Sequence, residues 1–248
     1  MKTALEDDIQ WTQTYLSKIL PQGKDLIIKD PLQTDECRWF RAAIVNNIID
    51  VRRCGPGCSI WKARQGRVTH EDMIPHDEFI VSKGIKRKAR HLFEVTRDPN
   101  NRITFAREYL PHIAAYARLI LALGYDQASS SFSLYRTFSR DLNFKKNGGS
   151  YETDAEFYDR GGGLYLHVEV KKDSKETEAV VNGLNSTGSL DGLNSTQLKE
   201  LEYVLDLKPR YLWIVGPGSA DPEKYVYSVK VEGLEAKFER MGRLPLAP

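Results

Sequence analysis

Thr153-Asp154-Ala155-Glu156, followed by Leu164-Tyr165-Leu166-His167-Val168-Glu169-Val170-Lys171, is the stretch on which the fold turns. Both halves read as strands of one hairpin, because polar and apolar residues alternate along them. Alternation sends Tyr165, His167, Glu169 and Lys171 to one face and Leu164, Leu166, Val168 and Val170 to the other. A Glu-x-Lys pair on a strand whose opposite face is wholly apolar needs an explanation. A divalent metal site supplies one.

Asp159-Arg160-Gly161-Gly162-Gly163 separates the strands, and Gly-Gly is among the preferred two-residue hairpin loops. With Gly161 and Gly162 as that loop, Phe157 pairs with Leu166 and Ala155 with Val168. On the polar face Asp154 then lies opposite Glu169, Glu156 opposite His167, and Glu152 opposite Lys171. Opposed Cβ atoms are about 4.5–5.5 Å apart, a distance at which two bare carboxylates repel. A cation between them relieves the repulsion, and so does a proton on one of them. A one-residue slip would send Asp154 to the other face.

Asp154, in a Thr-Asp rather than a Pro-Asp context, together with Glu169-Val170-Lys171, resembles the PD-(D/E)XK nuclease superfamily and its restriction-endonuclease-like fold. The resemblance implies catalytic roles for Asp154, Glu169 and Lys171. It also implies Mg2+, with Mn2+ as a substitute, held by Asp154, Glu169 and the backbone carbonyl of Val170. Lys171 would position or deprotonate the attacking water and stabilise charge on the phosphate. The chemistry suits those residue types. A few hard oxygen ligands leave Mg2+ open positions, the cation lowers the pKa of water, and lysine shifts its pKa where arginine stays protonated. The competing reading is an amphipathic hairpin with a solvated charged face, and the motif alone does not separate the two.

The surrounding elements weigh in. Pro111 to Leu123 has helical apolar spacing between Pro111 and Gly124, and the helix is open to an earlier start near Thr104. Ser131 to Thr137 reads as a strand carrying Phe132 and Leu134 on one face. Asn194 to Leu207 reads as a helix striped by Leu198, Leu201, Val204 and Leu205 and stopped by Pro209. Tyr211-Leu212-Trp213-Ile214-Val215 is a continuous apolar run, as in a strand covered on both faces, and Tyr225 to Val231 alternates. The expected fold class is therefore α/β, an α+β mixed sheet, with a restriction-endonuclease-like αβββαβ core in residues 103–248. Residues 1–102 are expected to be a mainly helical, DNA-contacting region, with helices over Leu5–Leu20 and Trp39–Val51.

Composition is compatible with a globular protein. The chain has 248 residues, enough for a full core, with 41% hydrophobic and 28% charged residues. No run approaches membrane-spanning length, the N-terminus lacks a signal-peptide pattern, and three cysteines form no disulfide pattern, so a cytoplasmic setting is expected. A net charge of +2 does not by itself argue for nucleic acid. Its distribution does more. Lys83, Lys86, Arg87, Lys88 and Arg90 fall in one block without an acid, suited either to DNA phosphates or to a solvated surface. Double-stranded DNA is the expected partner and a homodimer is compatible with it.

Other residues carry two readings each. Glu108 either adds a carboxylate to the metal centre or is a surface glutamate. Glu156 either holds a second metal or pairs with His167, itself a site-tuning or a structural histidine. Gln197 either assists the site or completes a capping box with Asn194. Cys54 and Cys58 with His70 and His76 fit no common zinc spacing, and a turn with two free thiols is preferred. The short repeat Gly-Leu-Asn-Ser-Thr at 183–187 and 192–196 reads as a polar loop and then a helix cap. The function expected is Mg2+-dependent hydrolysis of DNA phosphodiesters by a type II restriction-type endonuclease. Repair, recombination or mobile-element cleavage would use the same residues, and a non-catalytic nucleic-acid-binding or scaffold domain is the rival class.

Overall fold

The computed structural model describes residues 4–20, 25–29, 31–54, 58–63, 81–82, 85–86, 93–94, 102–105, 108–137, 150–171, 173–186, 195–216, 223–233 and 235–248. Contacts divide the chain into two compact units, Met1–Ala122 and Leu123–Pro248. The division falls later than the 102/103 boundary expected from sequence, so most of the Tyr109–Leu123 helix groups with the first unit. The described residues form a mixed α/β protein with five α-helices.

The first unit opens with α1 (Ala4–Ile19), β1 (Asp25–Ile27) and α2 (Thr34–Val45). Leu16, Cys37, Phe40 and Ala43 are fully buried, and Arg41 bonds Asp8 at 3.0 Å. The helix expected to run to Val51 stops at Val45. Asn47 takes a left-handed φ of 58°, which asparagine tolerates, and the chain then extends. The region is also less helical than expected. It adds the hairpin β2 (Ile49–Cys54) and β3 (Cys58–Ala63), the pair β4 (Val81–Ser82) and β5 (Ile85–Lys86), then β6 (Phe93–Glu94) and β7 (Arg102–Phe105). β7 occupies the place of the earlier helix start near Thr104, and α3 begins at Tyr109 and runs to Leu123. Pro111 lies in its first turn, and Gly124 (φ 71°) follows its end.

The second unit is built on a six-stranded sheet. Its strands are β8 (Ser130–Thr137), β9 (Ser150–Tyr158), β10 (Leu164–Val170), β11 (Tyr211–Val215), β12 (Val226–Glu232) and β13 (Glu235–Arg240), in the spatial order β13-β12-β11-β10-β9-β8. Only β10 and β11 run parallel; the other neighbours are antiparallel. Parallel neighbours need a crossover. It is supplied by α4 (Ser174–Ser186) and α5 (Ser195–Leu207). From α4 Val180, Val181 and Leu184, and from α5 Leu201, Val204 and Leu205, pack against Leu212, Ile214, Tyr227 and Ala236 of the sheet.

The last residues of α4, 183–186, fall where the sequence suggested a polar loop. Its start is fixed by Asp173, whose Oδ1 accepts the Glu176 N–H at 2.8 Å. Its Thr177 lies so close to Gly216 that a Cβ there would collide with it. β11 is covered on both faces as expected, with Leu212, Trp213 and Ile214 each 2% exposed or less.

The hairpin reaches the expected register by a different route. Phe157 pairs with Leu166, Glu156 with His167 and Ala155 with Val168. The loop, however, is one residue longer than Gly161-Gly162. Gly162 N donates to Asp159 O and Asp159 N to Gly163 O, both at 2.9 Å, and Gly162 takes φ 79°. A turn followed by a left-handed glycine is the usual three-residue hairpin loop. A bulge between Leu164 and Leu166 then shifts the pairing by one and restores the register. Gly162→Ala should therefore cost about 1–2 kcal/mol in urea denaturation from left-handed strain. Gly161→Ala, at a position without a positive φ, should cost less than half as much, and equal costs would contradict this loop.

Candidate functional site

His167, Glu169 and Lys171 leave one face of β10, as alternation requires, but that face is not solvated. His167 is fully buried, and Glu169 and Lys171 are each 7% exposed. Ionised side chains are almost never this buried unless paired. Here α5 lays a polar stripe over them, one that the sequence reading placed outside the helix's apolar face. Lys171 Nζ donates to Glu200 Oε1 at 2.8 Å and to Glu169 Oε1. Glu200 is 4% exposed. One ammonium thus serves two buried carboxylates.

The far oxygen of Glu169 faces elsewhere. His167 Nε2 lies 3.4 Å from Glu169 Oε2, yet among the described residues neither imidazole nitrogen has a hydrogen-bond partner. The ring stacks on Tyr203, one turn along α5 from Glu200, with centroids 4.0 Å apart. Ligand atoms of His167, Glu169 and Glu200 all lie within 4.8 Å of one another.

Charges in this pocket shift one another. Burial, then the Glu169 charge, pushes the Glu200 carboxyl up to about 7 despite partial relief from Lys171. Burial also opposes ionisation of Glu169, but Lys171 and then His167 outweigh it and hold its carboxyl well below the usual carboxylate range. Burial works against the Lys171 charge in the same way, and Glu169 and Glu200 overcome it, holding the ammonium above the ordinary lysine value.

Asp154 arrives from β9 in the register that sets it across from Glu169, one step beyond the last paired residues. Backbone pairing of β9 with β10 extends to Ala155 and Val168. Past that pair the half-buried Asp154 side chain takes over, its Oδ2 accepting the Val170 N–H at 2.7 Å. An amide donor stabilises the carboxylate where a facing acid would repel it. Asp154 thus meets the backbone between Glu169 and Lys171, and Val170 enters through its N–H.

Glu156 is committed differently. It is fully buried and accepts from Tyr203 Oη at 2.6 Å, Ser131 Oγ at 3.1 Å and Tyr158 Oη. Its backbone pairs with His167, but its carboxylate goes to hydroxyls instead of to the imidazole. Such a cage reads as structure: neutral donors satisfy the oxygens without any cation.

The remaining candidates lie apart or outside the described residues. Glu108 is exposed in the first unit, just ahead of α3. Gln197 sits on α5 one turn before Glu200, with its side chain outside the description, as is Asn194. The backbone of Lys86 lies in β5, while Lys83, Arg87, Lys88 and Arg90 fall outside, as do His70 and His76. Cys54 and Cys58 are backbone partners at the connected end of the β2–β3 ladder, with their side chains outside the description.

Glu200 is the site residue that sequence reading missed. The signal was its place three residues after Gln197 and three before Tyr203, on one helix face. Comparison with models of protein families, with curated proteins and with solved structures returned no match.

Because the folded Glu200 value lies above the unfolded one, the folded chain holds that proton more tightly. Its stabilising contribution is complete below about 4.5 and is lost as pH rises to about 7. Glu200→Gln keeps the shape and cannot ionise. Relative to that variant, chelator-treated wild type should lose on the order of 2 kcal/mol across this window in urea denaturation. Parallel profiles would contradict the assignment.

Proposed function

We propose that the Leu123–Pro248 unit is a metal-dependent endonuclease that hydrolyses DNA phosphodiester bonds. One observation carries the reading: Asp154 from β9 binds the amide between Glu169 and Lys171 of β10, and Lys171 binds Glu169. The three residues of the motif are thereby tied into one bonded unit across two strands. The order of elements along the chain, α3-β8-β9-β10, then helices, then β11, supports the same reading and is the order expected of a restriction-endonuclease-like core.

The donor set fits a divalent cation. Two buried carboxylates share a single ammonium, and a buried imidazole beside them lacks a hydrogen-bond partner among the described residues. Glu169 and Asp154 would hold the cation, Mg2+ or Mn2+, which when bound lowers the pKa of water and offsets charge on the phosphate. The protein's own contribution is positional. The Val170 amide fixes Asp154, Glu200 holds the Lys171 ammonium toward Glu169, and Tyr203 braces the histidine beside them. Lys171, kept charged by both carboxylates, is the group placed to stabilise phosphate charge. Double-stranded DNA is the proposed substrate, cut by a restriction-type enzyme or in repair, recombination or element mobility.

A second reading has its own support. Exposure of only 7% at Glu169 and at Lys171 also suits a structural ion cluster inside a non-catalytic nucleic-acid-binding or scaffold domain. Cleavage of supercoiled plasmid with Mg2+ decides. The nuclease should nick or linearise it. Asp154→Asn, and Lys171→Arg, which keeps the charge but replaces a compact ammonium with a planar fork, should each lower the rate about a hundredfold or more. Gel shifts in Ca2+ should show DNA binding retained. No cleavage of duplex, single-stranded or branched DNA by the folded wild type would instead establish the scaffold.

A further inference from the structure

The buried histidine has more at stake than the stack it joins. If stacking on Tyr203 were the whole role of His167, a phenylalanine would serve and would bury no polar atoms. Instead the ring places two nitrogens in a site with no water exposure, and neither finds a hydrogen-bond partner among the described residues. Buried polar groups are normally paired, and an unpaired one asks for a missing partner. Its Nε2 lies against the one oxygen of Glu169 that Lys171 does not engage: the ammonium takes Oε1, and the imidazole lies 3.4 Å from Oε2. Glu200 closes the third side, with ligand atoms of all three residues within 4.8 Å of one another.

We propose that His167, Glu169 and Glu200 form a binding site for a first-row transition dication, taken in preference to Mg2+ because the imidazole supplies a nitrogen ligand. Adjacent ligand atoms around a tetrahedral cation of this kind are separated by about 3.3 Å, given metal–ligand distances near 2.0–2.2 Å. The imidazole-to-carboxylate spacing already matches that figure. Mg2+ keeps oxygen ligands and several waters, whereas imidazole suits the transition ions. Lys171 can remain on Glu169 Oε1 while Oε2 turns to the cation. This inference concerns the same acidic centre as the nuclease reading and rests on that reading only for its place in a reaction, not for the binding itself.

The test uses the full chain, stripped with chelator, with Mn2+ as probe and no DNA. Electron paramagnetic resonance should count one tightly held Mn2+ per chain, and a tenfold excess of Mg2+ should leave it in place. Pulsed measurements on the wild type should show coupling to an imidazole 14N nucleus, a readout that needs no variant. His167→Phe keeps a ring for Tyr203 to stack on. It should abolish the nitrogen coupling, weaken Mn2+ binding by about tenfold or more, and let Mg2+ compete on equal terms. Absence of bound Mn2+, displacement by equimolar Mg2+, or Mn2+ bound without nitrogen coupling would each overturn the inference. Mn2+ held with nitrogen coupling by a protein that cuts no DNA would strike only the nuclease reading. Mg2+-dependent cleavage without nitrogen-coupled Mn2+ would strike only the present one.

Discussion

The Lys171 ammonium, held between Glu169 and Glu200 inside the second unit, is the constraint on which the rest of that unit is arranged. β10 has a covered apolar face and, unexpectedly, a covered charged face. A strand like that cannot exist unless its charges are matched within the fold. Removing one partner of a buried ion pair costs about 3–5 kcal/mol, because the partner left behind stays buried and unpaired. The pairing therefore fixes more than two side chains. Glu200 ties α5 to β10, and one turn later Tyr203 reaches β9 through Glu156 and stacks on His167. Helix position, strand register and the polar pocket are set by one network.

Two buried carboxylates on this face are handled in contrasting ways, and the contrast separates structure from candidate chemistry. Glu156 is surrounded by the hydroxyls of Ser131, Tyr158 and Tyr203. Neutral donors satisfy it, and nothing about it calls for a ligand. Glu169 is matched by charge instead, with the shortfall left to Glu200. Its ammonium is shared with a second acid, and its other oxygen meets an imidazole that has no hydrogen bond among the described residues. Buried charge tolerated with incomplete compensation is a cost that a purely structural core would shed, since apolar replacements of such clusters are often neutral or stabilising. Sites that bind cations need that cost.

Much of this was legible because alternation and turn chemistry are local. The strands β8 to β12, the α5 stripe and the central β11 run follow from residue order alone. The hairpin register was right through two offsetting departures, a loop longer by one residue and a bulge near Tyr165. Local rules see only the sum of such departures. α4 went unread because Gly183 and Asn185 are weak helix formers within a repeat that resembles a loop, and Asn182 just before it is another. Its Thr177, Val180, Val181 and Leu184 nevertheless keep helical spacing, and burial against the sheet overrides propensity. β13 hides for a related reason: Glu-Ala-Lys-Phe-Glu-Arg is a charged edge strand that turns only Ala236 fully inward.

The site was less legible than the fold, and the reason is physical. A motif on two adjacent strands can be counted out in sequence, so Asp154, Glu169 and Lys171 were found together. Partners that arrive over the top of the sheet come from an element whose rotation about its own axis is set by packing. On α5 the apolar stripe Leu201, Val204 and Leu205 faces the core, which forces its flank, Glu200 and Tyr203, over β10. Once that orientation is known, a buried glutamate on the flank has to meet a cation, and Lys171 is the cation that β10 offers. The burial of the Glu-x-Lys face and the identity of its third acid are thus one fact, seen from the strand and from the helix.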